Sequence, residues 1–343
     1  PDGVLVHVGS KALTADEFTN NAQLAVNYKN EIKPIAQWDL EYASKKQDKK
    51  FVFDYIEKRT TLGYDNSDAI DQYTLLAKED DLLKTSVISL FLLKNENMNA
   101  NGPFFSFLLY NKEKVKSHLK LSDKQFNERI LASVEHTFDK ACDVKNESLL
   151  DIAIKARLAC LAVNTEEEKN IIANEYRAKF YYNTKQPVLL ANYVTLYANT
   201  LMEQGVDVAN TEDIELVEIV PNVNTKALFP SGFSAEFLNA QRNEEIDIAY
   251  SFKLRDAAQY MVEMISNKRM LNNALLWSQK AIELFDNFSN YETQAYILYK
   301  LGKRSEAIAS MEKAYKVAPD TEDLVKEKVE AKLIMMKRGE RIF

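Results

Sequence analysis

The side chains best suited to chemistry in this chain are three histidines, two cysteines and several acidic runs. His7, His118 and His136 lack a second ligand at the spacing that lets two side chains on one helix face share a metal, and no HExxH motif occurs. A catalytic metal is therefore not expected, and each histidine reads as a surface or half-buried structural residue. Cys142 and Cys160 are too few and too far apart for a disulfide framework or a zinc knuckle. They read as buried structural thiols, since a reduced cysteine behaves as a small hydrophobe. Eight glycines are scattered singly at helix ends, and no GxGxxG, GxxxxGK[ST] or GxSxG is present, so the usual phosphate-cradling loops are missing. No serine has His and Asp nearby in a recognisable pattern, although a triad assembles in space rather than in sequence. Glu79-Asp-Asp81, Glu166-Glu-Glu168 and Glu244-Glu245 invite a cation-binding reading. They fall mostly in first turns or at helix ends, where negative charge complements the helix dipole. No complete catalytic motif and no cofactor site emerges. The remaining chemical feature is aromatic density: Phe104, Phe105, Phe107, Tyr110, Phe180, Tyr181 and Tyr182 either line a peptide groove or pack between helices.

The elements that would position these residues are helices. The chain has 343 residues, of which 46% are apolar and 28% charged, as in an ordinary globular protein. Eight Gly and seven Pro are few for a fold built on tight turns, which favours long helices with short polar links. A net charge of −7 argues against non-specific attraction to nucleic acid or an anionic membrane. No apolar run of about 18 residues occurs, so no transmembrane helix is expected.

The clearest stretch runs from Tyr291 to Pro319, YETQAYILYKLGKRSEAIASMEKAYKVAP. It predicts a helix, a turn at Gly302 and a second helix ended by Pro319. Ala307 and Ala314, one heptad apart, share a face small enough for the first helix to approach closely. Ala274 and Ala281 precede them by 33 residues in a second pair of helices, Asp256–Ser266 and Leu271–Leu284. A weaker copy is read over residues 51–80, where Ala69, Tyr73 and Leu76 take the places of Ala307, Met311 and Ala314. This order of features resembles a tetratricopeptide repeat, with Gly302, Ala307, Ala314, Pro319, Ala274 and Ala281 as its signature positions. One such hairpin cannot bury its apolar face alone, so stacked neighbours and a partner-binding concave surface are expected.

Between these landmarks, amphipathic segments are predicted at Leu82–Leu93, Phe104–Tyr110, Phe126–Cys142, Leu149–Val163 and Glu166–Tyr182. Ser122/Gln125 and Thr165/Glu168 form capping boxes, and Pro187 opens a helix that Gly205 closes. Residues 204–247 read as an irregular connection, with Ile214–Val220 open to either strand or helix.

The opening PDGVLVHVGSKALTADEF predicts a turn at Pro1-Asp-Gly3, a strand over Val4–Val8 and a helix capped by Thr14 and Glu17. It resembles the end of a thioredoxin-like domain. Downstream, Ile35–Tyr42, Phe51–Ile56 and FLLYNKEKV at Phe107–Val115 are similar to the helical extension of certain exported Bacteroidota thioredoxin-family proteins. The family's Cys-x-x-Cys and cis-proline have no counterpart here, so no redox role passes to Cys142 or Cys160. The resemblance implies a mainly α chain of antiparallel helical hairpins: a thioredoxin-like tail over 1–29, a repeat-like region over 30–203 and TPR-like hairpins over 248–343. It further implies a periplasmic or otherwise exported thiol–disulfide oxidoreductase as the parent protein, beginning upstream of Pro1. This chain would then position protein or peptide partners without itself reacting. The alternative is a self-standing interaction adaptor with no redox role.

Overall fold

The computed structural model describes residues 33–95, 98–160, 165–204, 235–319, 323–340 and 342, with 19, 22 and 23; of residues 204, 235–246 and 323–324 the backbone alone is described. These residues are overwhelmingly helical, in sixteen α-helices and one π-helical turn, and no strand occurs among them. The strand at Val4–Val8, the cap at Thr14, Gly205 and Ile214–Val220 lie outside the described residues. The chain divides into two compact units, residues 1–162 and 163–343, a boundary inside the 30–203 stretch.

The first unit contains α1 (Ile35–Lys45), α2 (Lys49–Thr61), α3 (Ser67–Leu76), α4 (Glu79–Leu82), α5 (Thr85–Ile88), α6 (Pro103–Tyr110), α7 (Lys112–Leu119), α8 (Asp123–Asp143) and α9 (Glu147–Cys160). The single amphipathic segment read over Leu82–Leu93 is instead α5 continued by a π-helical turn, Ser89–Leu93. That turn carries Phe91, which is fully buried against Tyr73, Phe53 and Phe104. Packing on these rings outweighs the regular α-period over five residues. Asp48 caps α2 by accepting from the Lys50 and Phe51 N–H groups. At α8 the Ser122/Gln125 capping box is complete. Gly102 stands at the N-cap of α6, where a Cβ would overlap the Asp71 carboxylate of α3. Any larger residue there would require the Asp71 side chain to move, while the backbone angles are ordinary. Burial raises the Asp71 carboxyl above its usual range, opposed by hydrogen bonds from the Asn99 side chain and the Phe104 N–H.

The second unit contains α10 (Glu166–Asn183), α11 (Pro187–Gln204), α12 (Ala235–Met264), α13 (Lys268–Leu284), α14 (Phe288–Lys300), α15 (Arg304–Val317) and α16 (Asp323–Arg338). Helix α12 starts at Ala235, inside the 204–247 stretch read as a connection. Short turns pair α10 with α11, α12 with α13 and α14 with α15. Each pair packs on the next, and α16 packs on α15. Helix starts follow local chemistry: the Thr165/Glu168 capping box opens α10, Pro187 opens α11, and Asn267 and Asn287 cap α13 and α14. Ala274, Ala281, Ala307 and Ala314 are all completely buried, and none reaches a surface. Ala318, held extended by the following Pro319, ends α15.

Gly302 turns α14 into α15 at φ +83°, and nothing lies within 4 Å of where its Cβ would be. Substitution there costs backbone strain alone. Gly302→Ala is expected to lower stability by about 1 kcal/mol and Gly302→Asn by less, because asparagine tolerates left-handed angles better. Urea midpoints of the two variants check the ranking; equal midpoints for all three proteins would contradict it.

Candidate binding groove

The first helices of successive hairpins in the second unit, together with α16, line an open cleft of about 620 Å³. Arg255, Gln259 and Glu263 recur at four-residue intervals on α12, and Ser289, Glu292, Thr293 and Tyr296 share a face of α14. Lys332 of α16 and Ile342 complete one end. Ala257 and Ala258 of α12 and Ala295 and Ile297 of α14 are buried, and so are Thr293 and Tyr296 of the lining, which leaves the accessible polar surface of the cleft to Arg255, Asp256, Gln259, Glu263, Ser289 and Glu292.

The polar groups hold one another in place across helices. Arg255 Nη1 donates to Ser289 Oγ at 3.3 Å while its Nη2 donates to Asp256 Oδ1 at 2.6 Å. Thr293 Oγ1 donates to Gln259 Oε1 at 3.2 Å. Gln259 and the Tyr182 hydroxyl donate to separate oxygens of the Glu263 carboxylate. Glu292 Oε1 accepts from both Tyr296 OH and Lys332 Nζ, each at 2.7 Å. Farther along, Tyr182 of α10 stacks on Tyr260 of α12 with ring centroids 4.5 Å apart. Glu175 pairs there with Lys179 and Lys253. The result is a ladder of tyrosine–carboxylate contacts spaced by the hairpins.

These contacts move the tyrosines. The hydrogen bond to Glu263, helped by burial, pushes the Tyr182 hydroxyl up to about 12. Burial, then the nearby Asp256 carboxylate, does the same for Tyr260. Burial and Glu292 raise Tyr296 further still. A phenol whose folded pKa lies above its unfolded value stabilises the fold fully below the unfolded value near 10, and that contribution is lost as pH rises towards 12. Stability of this unit should therefore fall between pH 10 and 12, and phenolate absorbance should develop later than in urea-unfolded protein. Coincident folded and unfolded titrations would count against this ladder.

The residues singled out from sequence are placed elsewhere. Phe104, Phe105, Phe180 and Tyr181 are buried in helix packing, Tyr110 is exposed, and of the aromatic set Tyr182 alone reaches the ladder. Cys142 lies in the last turn of α8 and Cys160 ends α9, both half-buried, where sequence suggested buried thiols. His136 Nε2 lies 3.5 Å from Asp65 Oδ2. Burial alone would raise Asp65, but the nearby His136 imidazole and hydrogen bonding from Ser67 outweigh it and hold the carboxyl at about 2. Glu166, Glu167 and Glu168 occupy the first turn of α10, as do Glu79, Asp80 and Asp81 in α4. Among the described residues no group of three or more His, Cys, Asp or Glu could hold a metal, and no helix is long and apolar enough to cross a membrane. Sequence reading missed the polar stripe of α12 and α14. The four-residue spacing from Arg255 to Glu263 was its legible signal, but which stripes meet depends on tertiary packing.

Among the described residues the cleft lining holds neither histidine nor cysteine, and its carboxylates are engaged by tyrosine, lysine, arginine or glutamine. No family model, curated protein or solved structure matches this chain.

Proposed function

We propose that this chain is a partner-binding module of tetratricopeptide-like hairpins that holds an extended polypeptide segment in the α12–α14–α16 cleft. The observation that carries this reading is the cleft itself. Its walls come from the first helix of successive hairpins and from α16, the surface that stacked hairpins leave free for a ligand. The buried alanines at Ala274, Ala281, Ala307 and Ala314, with Gly302 and Pro319 at the turn and stop, support the repeat assignment. An extended backbone supplies N–H groups that the accessible carboxylates Asp256 and Glu263 can accept. The thioredoxin-family parent and the exported location rest on the sequence resemblance of residues 1–29 and the helices after it. In that setting the cleft would position a protein substrate for a separate redox domain.

Panning a random-peptide display library on the intact protein tests the cleft. Enriched sequences should lose at least tenfold in affinity for the Asp256→Arg/Glu263→Arg double variant, whose targets are both solvent-accessible. They should keep their affinity for Leu276→Arg, on the exposed outer side of α13. Enriched peptides indifferent to the double variant, or sensitive to Leu276→Arg instead, would overturn the reading.

A further inference from the structure

We propose that Glu263 sets the specificity of this cleft by receiving a side-chain cation, lysine or arginine, from the bound segment. The inference rests on the groove reading above and names the partner's chemistry. Of the three carboxylates in the lining, two are neutralised from within. Asp256 pairs with Arg255 at 2.6 Å and Glu292 with Lys332 at 2.7 Å. Glu263 forms no ion pair with any described residue. Its two oxygens accept from neutral groups, the Tyr182 hydroxyl and the Gln259 amide. Lys300 of α14 acts on it from beyond ion-pair distance, its ammonium donating to the Val262 carbonyl at 2.6 Å. The lining therefore keeps one net negative charge, and the uncompensated carboxylate belongs to an exposed side chain.

That carboxylate is already held in position. Tyr182 comes from α10 and is itself stacked on Tyr260, while Gln259 is tied to Thr293 of α14 at 3.2 Å. Pairing with it thus costs little of the side-chain entropy that weakens most exposed ion pairs. Each carboxylate oxygen can accept more than one hydrogen bond, so an ammonium or guanidinium adds without breaking either existing contact. A neutral side chain laid over Glu263 would instead strip water from an unpaired charge, and an acidic one would be repelled. The cleft selects for a cation partly by penalising everything else.

The probes are the cleft-dependent peptides from the panning above, resynthesised with fluorescein and followed by fluorescence anisotropy. In each, lysines are replaced one at a time by norleucine and arginines by citrulline, which removes the charge and keeps most of the shape. Replacement at one position should weaken binding to the intact protein roughly fivefold, the upper end for an exposed pair. The loss should shrink at about 0.5 M NaCl, where charges are screened within a few ångströms. Glu263→Gln, a conservative change at an exposed position, should bind the charged peptide and its neutral counterpart equally. Four results would each overturn the proposal and leave the groove reading standing: cleft-dependent peptides lacking lysine and arginine, neutral replacements that bind as well as their parents, a loss indifferent to salt, or a difference that persists in Glu263→Gln. If panning yields no cleft-dependent peptide, both readings fall together.

Discussion

Trp277→Ala is expected to lower the unfolding free energy of the second unit by about 3–5 kcal/mol, the range for deleting a fully enclosed large aromatic side chain. The indole is 2% exposed on α13, and its Nε1 donates to Asn199 Oδ1 of α11 at 3.2 Å. It therefore joins two successive hairpins, and its removal opens a void at the seam between them. Its neighbours Ala274 and Ala281 are fully buried small residues that leave little scope for collapse into that space. Trp277→Phe keeps part of the volume and should cost about 1–2 kcal/mol. Urea unfolding followed by far-ultraviolet circular dichroism measures both. A Trp277→Ala midpoint equal to that of the parent would mean α11 and α13 do not pack through this residue.

Phe91→Ala is the corresponding expectation for the first unit, again about 3–5 kcal/mol. Phe91 is fully buried and meets Tyr73 and Phe104 edge-on, with centroids 5.3 and 5.2 Å away, and Phe53 at 6.3 Å. Edge-to-face pairs contribute about 0.5–1.5 kcal/mol each beyond area burial, so the ring matters for its shape as well as its size. Phe91→Leu should accordingly lie between parent and alanine variant. The measurement is convenient because the chain has two tryptophans, and Trp38 lies in this unit against Phe51 at 5.4 Å. In a Trp277→Phe background, emission from Trp38 follows the transition. An unchanged midpoint would show that the π-helical turn at Ser89–Leu93 does not depend on the ring it delivers.

How much of this was legible before any coordinates depended on the range of the interaction involved. Ser122 with Gln125, and Thr165 with Glu168, act within one helical turn, so their types and spacing alone mark where α8 and α10 start. Pro187 at the start of α11 and Pro319 after α15 are equally local. The alanines at 274, 281, 307 and 314 were visible as buried small positions because helical periodicity places them on one face. Such rules determined the helical class of the chain and the hairpins from Asp256 onward.

What coordinates decided lies beyond that range. The aromatic run Phe104 to Tyr110 and its counterpart Phe180 to Tyr182 look alike as text. Yet the packing of α3, the π-helical turn and α6 buries most of the first, whereas Tyr182 stacks on the Tyr260 ring of α12 and reaches Glu263. The Asp71 carboxylate reaches Gly102 across a gap in sequence that no periodicity spans. Arg255, Ser289 and Lys332 become one cleft only when α12, α14 and α16 align. Helix class follows from hydrogen bonds and side-chain spacing within about four residues. The groove follows from which helix faces remain uncovered after all the others have packed, and that is a property of the assembled unit.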